Sequence, residues 1–521
     1  MPARPLPSAR ALPLLLLACS LATAQAPPTD QLRQEAQERV QGRAKLVQVI
    51  TDSLFSFAEL GYQEHETVEY LTGLLAEKGF KIRTGVAGMP TAYVAEWGSG
   101  KPILGLMADI DGLPETSQKP GVARHDELIP GGPGHGEGHN AGQAVQVATA
   151  LAVQEILQKH NMPGTIRVYP GVAEELLGSR TYMAREGLFD DLDAMLSCHV
   201  SSSFDTQWGV RGLALVSTQF SFHGVSAHGA GSPWKGRSAL DAVELMNIGW
   251  NFRREHLRLQ QRSHYSIPHG GNQPNVVPSE ATVWYFFREL DYAHVKELHA
   301  LGQQMARAAA MMTDTTMTER IIGAAWEGHF NKPLAELLDA NIQRVGMPAW
   351  SDEDQRLARA VQKLMDAEQS GLRAKPSPLD GPAETSSGSD DIAEVSWKVP
   401  TINLRYPANI PGTVGHHWSS GIAMATPIAH KGALAGAQAQ AMTMIELFAD
   451  PSHLERAKAY FAEQTKDVKW QSLIPDDVSP PADTNAEKME KFRPALEKLR
   501  YDPSKYSSYM EQLGIEYPTV E

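Results

Sequence analysis

The sequence predicts an α/β fold, a domain on a largely parallel sheet that is interrupted by an inserted α+β dimerisation (lid) domain. Three observations carry this. Helix-like and strand-like segments alternate through the first 200 residues, the order that builds a parallel sheet with helices on its faces. The strand-like segments at 102–107 and 194–199 are continuous apolar runs, as expected where both faces are covered. From about residue 211 the texture shifts to alternating strands and long helices, over a stretch long enough for a separate unit.

Taken in order, the chain opens with Arg4 and Arg10 before an apolar run at 11–18, then Ala22-Thr23-Ala24. This reads as a secretory signal peptide over 1–24, too short and too interrupted (Pro13) to span a bilayer. A competing reading makes Leu16-Leu17-Ala18-Cys19 a lipoprotein-type site, and a membrane is expected only if Cys19 is lipidated. The expected location is periplasmic or secreted. Cys19 and Cys198 are the only cysteines, so cleavage leaves no intramolecular disulfide, and Cys198 reads as a small buried hydrophobe.

Residues 27–210 form the first part of the main domain. Helical spacing runs over 27–45, 47–60 and 67–78, followed by strands at 92–97 and 102–107. After a glycine-rich loop come an amphipathic helix at 144–157 and strands at 164–172 and 194–199. The inserted domain, 211–325, reads as strand 213–223, helix 238–260, strand 282–290 and helix 294–312. Residues 326–474 return to the main domain, with a helix from Pro333, a polar loop at 386–391 and a strand at 401–405. The tail, 475–521, carries Pro475, Pro480 and Pro481 and reads as a peripheral arm with one short helix. Composition (521 residues, 42% apolar, 21% charged) is that of a soluble globular protein. A net charge of −14 with no Lys/Arg-rich run excludes a nucleic-acid partner.

The chemistry concentrates at strand ends. Residues 134–139 read Gly-His-Gly-Glu-Gly-His, and Glu174-Glu175 close the strand at 164–172. Histidines and carboxylates brought together by a loop and a strand end are what a hydrolytic metal site needs, with one carboxylate left free to activate water. Three glycines disfavour an HExxH-type helical pair and let the loop curl so that Glu137 and His139 converge. Asp109, Asp111, Glu174-Glu175 and His199 all sit at or just beyond carboxyl ends of strands, where ligand sites of parallel sheets lie. An isolated Glu-Glu pair is usually solvated surface and a lone histidine usually a core residue; the shared position favours one site.

These segments resemble the aminoacylase and carboxypeptidase-G superfamily of dinuclear metallopeptidases, in particular the amidohydrolase branch of the aminobenzoyl-glutamate utilization proteins. The matching stretches are MADIDGLP (107–114), GHGEGHN (134–140), AEE (173–175), CHV (198–200), SAHGA (226–230), NVVP (275–278), and the pair GHHW (415–418) and AHKG (429–432). The resemblance covers residues 40–482. It implies two divalent metal ions, zinc or manganese, held by Glu137, His139, Glu175, His199 and His416, with His417 as the rival to His416. Glu174 takes the place of the general base. His228 stands where the family has a catalytic residue stabilising the oxyanion, and Asn275 and Arg288 where it binds substrate. In relatives His228 and Asn275 reach into the partner subunit's site, which implies a homodimer. Asp111 supports the metal cluster, and Asp109 stands where distant relatives have a ligand histidine. Outside this set, His135 reads as a loop residue or one supporting the ligands, His430 as structural, and Asp390-Asp391 as an N-cap with support of the metal ligands as the alternative.

One departure stands out. The amidohydrolase branch has cysteine, and distant peptidases have aspartate, where this chain has Glu137. A longer, harder carboxylate shifts the expected metal preference towards oxygen-rich coordination. The function implied is hydrolysis of the amide of an N-acyl or N-aroyl amino acid (p-aminobenzoyl-glutamate-like) or of a small dipeptide. The alternatives are an aminopeptidase or dipeptidase that needs a free amine, and a secreted binding protein whose catalysis is lost.

Overall fold

The computed structural model describes residues 1–2, 28–379, 381–382 and 388–520. All but the first two residues of the signal peptide read over 1–24, Cys19 among them, and part of the loop at 386–391 lie outside these. No helix among the described residues is long and apolar enough to cross a membrane.

The strands are, in chain order, β1 (Lys81–Thr84), β2 (Tyr93–Ser99), β3 (Ile103–Asp109), β4 (Gly164–Gly171), β5 (Ala194–Ser201), β6 (Asp205–Thr206) and β7 (Gly209–Arg211). There follow β8 (Ala214–His223), β9 (Arg262–His269), β10 (Glu280–Glu289), β11 (Thr316–Ala325), β12 (Gly328–Phe330) and β13 (Thr401–Pro407). The larger sheet has the order β1-β2-β4-β3-β5-β13-β6. Its four central strands, β4, β3, β5 and β13, run parallel, and the outer strands pair antiparallel. Leu104, Leu106, Met107 and Ala108 of β3 are buried without a break, as a strand covered on both faces requires.

Behind β3 and β4 lies the helix Gly142–His160. The sequence reading makes it amphipathic; in the structure it is buried on every side from Gly142 to Gln154. Helices Thr29–Gln41, Ala44–Phe57 and Pro427–Ala449 pack around it. Its polar residues are used inside: Gln143 donates to the carbonyls of Ala108 (2.7 Å) and Tyr169 (3.1 Å), and Gln146 to that of Met107 (2.8 Å). Buried amides with partners avoid the desolvation cost that would exclude them from a core. These bonds fix the helix to the carboxyl-end half of the sheet, where the site lies.

The inserted unit has its own core of Phe220, Phe222, Trp250, Tyr285 and Phe287. Where the sequence reading expects two strands, the structure has a four-stranded antiparallel sheet, β11-β8-β10-β9. Helices Ala239–Arg253 and Tyr292–Thr313 cover one face; the first ends well before residue 260, in a short turn at Arg254–His256. Along β10, Ala281, Val283, Tyr285 and Phe287 point into this core, and Phe286 and Arg288 point the other way. The ribbon β7–β12 joins the two units where the chain leaves and returns. Beside it Tyr292 of the inserted unit stacks on Trp326 at 4.3 Å.

The tail is not a peripheral arm with one short helix. It contains a fourteen-residue helix, Ala486–Leu499, and a second short one, Tyr509–Gln512. Met489, Leu496, Tyr501, Tyr509 and Met510 are buried against the main domain.

Candidate metal centre

The carboxyl ends of the parallel strands open into a cleft of about 840 Å³ between the two units. Asp109 ends β3, His199 lies near the end of β5, and Glu174-Glu175 follow β4 in a single turn, Glu174–Leu176. Ala173 and Leu177 flank that turn in the left-handed region (φ 48° and 51°), so the backbone folds back and aims both carboxylates at the cleft. Glu137 and His139 come from the glycine-rich loop. Gly138 has φ 103°, and a side chain there would meet Met424 at 2.8 Å.

Of the two adjacent histidines, His416 reaches the cluster: its Nε2 lies 3.0 Å from Glu137 Oε2 and 3.3 Å from Glu175 Oε2. His417 turns away and caps the following helical turn through Ser419. Glu137 Oε1 faces His199 Nε2 at 3.9 Å, so the two oxygens of this carboxylate address two different groups. His139 Nε2 stands 4.0 Å from Asp109 Oδ2 and 3.9 Å from Glu174 Oε2. On its other side His139 Nδ1 meets the Asp111 carbonyl (3.1 Å) and carboxylate (3.3 Å), which fixes the ring. Asp111 also accepts from Glu175 N at 3.1 Å.

The residues fit a cation. Ligand atoms bound to zinc at about 2.0–2.2 Å are separated by roughly 3–3.5 Å, close to the shorter contacts here. His139 Nε2 and Glu175 Oε1 are buried with no hydrogen-bond partner among the described residues. Two overlapping trios, Asp109–His139–His199 and Glu137–His139–Glu175, present their donor atoms within 4.8 Å of one another. Burial, with Asp390 and Asp109 nearby, pushes the Glu174 carboxyl well above its usual range. Burial pushes Glu175 up to about 8. Burial and then Arg405 push His199 down to about 4, leaving a neutral imidazole. Burial of this kind opposes ionisation of Glu174 and Glu175, and a nearby cation would offset it.

Other expectations fall differently. Arg288 lines the cleft, near enough to the Glu174 carboxylate to feel its charge, and it sits over the ring of Phe286. His228 and Asn275 do not line the cleft of their own chain; both are exposed. His228 Nδ1 only accepts from the backbone of Ala230 and Gly231. His135 is buried, bonded to the Leu54 carbonyl at 3.0 Å. His430 pairs with Asp52, and Cys198 is buried. Of the pair read as an N-cap, Asp390 accepts from the Ile392 backbone N–H at 2.9 Å at the start of the helix, whereas Asp391 accepts from Arg180 and from the backbone of Ser179 and Arg180.

Arg180, absent from the sequence reading, is the organiser of this corner. It is fully buried and donates to Asp109 and Asp391, with Asp390 at 3.4 Å. Its signal was a single arginine within the small and apolar run Gly178-Ser179-Arg180-Thr181-Tyr182-Met183-Ala184, where only an internal carboxylate partner makes burial tolerable. Arg405, also unanticipated, lines the cleft with its Nη1 3.0 Å from His199 Nδ1.

The chain resembles known proteins in sequence and in fold. A family model described as a peptidase dimerisation domain matches residues 209–312. The chain is 32% identical over 457 residues to one of the polypeptides of the p-aminobenzoyl-glutamate hydrolase of Escherichia coli, a match that covers 83% of this chain and 95% of that protein. It is 27% identical to the Xaa-Arg dipeptidase of Mus musculus, covering 84% and 94%. An aminobenzoyl-glutamate utilization protein from Klebsiella pneumoniae shares the fold, with a TM-score of 0.52 at 18% identity over 80% of this chain and 97% of that one.

Proposed function

The chain belongs to the M20 family of metal-dependent peptidases and amidohydrolases, and on that premise we propose that this amide hydrolase acts on an N-acyl or N-aroyl amino acid whose amino-acid half is acidic. The observation that carries the reading is the convergence of Glu137, His139, Glu175, His199 and His416 at one end of the sheet, with Glu174 beside them in the same cleft. Glu137 presents one oxygen towards His199 and the other towards His416, so it would help hold the metal together with both histidines. Asp109, tied to Arg180, completes the wall behind them and Asp111 orients His139.

Zinc or manganese held by these residues would supply Lewis-acid chemistry, making a nearby water more acidic and polarising the scissile carbonyl. Glu174 receives the proton from that water and returns it to the leaving amine, a role open to a carboxylate that is near the ligands but not required as one. Arg288 takes the free carboxylate of the substrate. Arg262 and Arg405 line the same cleft, which favours an acidic amino-acid half and disfavours a substrate ending in arginine. Phe286, Trp326 and Phe330 form the apolar wall suited to an acyl or aryl group. His228 and Asn275 are assigned to the partner subunit's cleft in a homodimer, where they stabilise the developing oxyanion. The exposed apolar residues of the inserted unit support that assembly. Location in the periplasm or outside the cell rests on the sequence of residues 1–24.

The deciding experiment is metal analysis of the purified protein followed by hydrolysis assays with and without a chelator. The panel is p-aminobenzoyl-glutamate, N-acyl-aspartate, N-acyl-leucine, N-acyl-arginine and free-amine dipeptides. Chelator-sensitive cleavage of the acidic amides is expected. Cleavage of dipeptides alone would favour the dipeptidase alternative, and metal binding without any cleavage would favour the binding protein.

A further inference from the structure

The tail crosses the back of the metal centre, and its contacts converge on one short segment, residues 59–64. Asn485 donates to the Gly61 carbonyl at 3.2 Å, and Gln63 donates to the Ala482 carbonyl at 3.0 Å. Arg493 donates to Glu59 Oε1 at 3.0 Å and to the Gln63 carbonyl at 3.4 Å. Glu59 is 2% exposed, so this ion pair is a buried one on the carboxylate side.

Segment 59–64 in turn grips both halves of the candidate site. Gly112 N donates to the Glu59 carbonyl at 2.7 Å, and Gly112 follows Asp111, the residue that touches both His139 and Glu175. Ala173 N donates to Glu64 Oε1 at 2.8 Å, and the Tyr62 hydroxyl donates to the Gly178 carbonyl at 2.6 Å. These two bonds bracket the turn that bears Glu174 and Glu175. Gly61 lies so close that a Cβ on it would stand 2.8 Å from Ala173 Cα.

Further along, Met489 and Leu496 pack with Ile129. Thr519 exchanges backbone hydrogen bonds with Gly121 (2.9 Å) and Ala123 (2.8 Å), in the loop that leads to Glu137. Two buried carboxylates fasten the end of the tail. Asp52 accepts from Tyr509 N at 2.9 Å and pairs with His430 at 2.6 Å. Asp354 accepts from the Tyr517 hydroxyl at 2.7 Å and from Lys431 at 2.5 Å. Consecutive residues of the AHKG motif thus hold the two fastenings.

We infer that residues 482–520 are a positioning strap for the metal centre, with Arg493 as its main point of leverage. The guanidinium clamps Glu59, Glu59 holds Gly112 and therefore Asp111, and Asp111 sets the His139 ring and the Glu175 backbone. The inference rests on the metal-centre reading above. Arg493 touches neither ion nor substrate, so it is a positioning residue.

The test uses the full-length protein with Arg493→Met and Arg493→Lys, reading bound divalent metal by titration and kcat and KM separately. Glu59 keeps the Thr67 and Glu66 backbone donors at 2.9 and 3.1 Å, so the Met variant is not left with a bare buried carboxylate. Arg493→Met is expected to lower metal affinity and kcat by roughly tenfold each, the scale for losing a group that orients a ligand from outside the coordination shell, with KM within about twofold. Arg493→Lys is expected to restore most of both. Tyr517→Phe, which removes a single hydroxyl contact at the other fastening, should act in the same direction and less strongly, and it decides the matter if Arg493→Met does not fold. Wild-type metal affinity and kcat in a folded Arg493→Met, or in Tyr517→Phe where that variant must decide, would overturn the inference. Wild-type protein that binds no metal would instead overturn the metal-centre reading.

Discussion

The two sheets bury themselves in opposite ways. The central strands of the larger sheet are covered on both faces, and the metal-ligating groups gather at their carboxyl ends, where they have partners in the same chain. Asp111 contacts both His139 and Glu175, and Arg180 spans Asp109 and Asp391. The smaller sheet covers one face with two helices and leaves β9 as an open edge, and the helix and turn beside it carry Phe252 and Trp234 at 75% and 71% exposure. His228 and Asn275 lie on exposed loops of that unit. The contrast supports the division of labour proposed above: the ions and the base are held within one chain, and the oxyanion donors come from a second copy across an unpaired strand and an apolar surface.

The largest expected effect tests the first half of that contrast. Glu174→Gln should retain bound metal and lose kcat by about 10²–10⁴-fold. Near-normal turnover would remove the base from the larger domain. His228→Ala tests the second half, with an expected loss of about 10²–10³-fold in kcat. Mixing it with Glu174→Gln should restore activity in heterodimers, towards roughly half of wild type for independent sites, because one composite site is intact. Verified heterodimers without recovery would mean that His228 serves its own subunit.

Smaller effects sharpen the picture. Glu137→Ala should weaken metal binding by roughly 10–100-fold or more, since that range applies even when only a ligand's hydrogen-bond partner is lost. Glu137→Cys should keep binding and shift metal preference towards softer ions, read by competition titration. Smallest is Phe252→Asp, expected to raise the dimer dissociation constant by roughly tenfold, as for an aromatic interface anchor. Unchanged sedimentation behaviour would place the interface elsewhere.

The central strands and the ends that carry the site were legible because a parallel sheet needs unbroken apolar runs and leaves its chemistry where they stop. What escaped were elements whose pattern is set by context. β9 is an edge strand exposed along nearly its whole length, so Arg262–His269 shows no apolar alternation. β11 opens with Thr316, Thr318 and Arg320 exposed, the half-buried face there including the polar Glu319, and shifts register between Ile321 and Gly323, which breaks its period. The tail is anchored by widely spaced residues such as Leu496 and Tyr509 instead of a continuous face. Arg180 and Glu64 are charged residues whose burial depends on partners more than 60 residues away. His416 and His417 are indistinguishable in sequence; the left-handed backbone at His416 (φ 55°) is what turns one inward and the other away.

The helix Gly142–His160 bears on how such an enzyme diversifies. Its glutamines lock it to β3 and β4, so helix, sheet end and metal loop form one block that tolerates little change. Phe286, Trp326 and Phe330 belong to none of these elements; one sits on the inserted sheet and two in or beside the connecting ribbon. Selection can replace those wall residues one at a time and alter which acyl group is accepted, while the apparatus that breaks the amide is inherited intact.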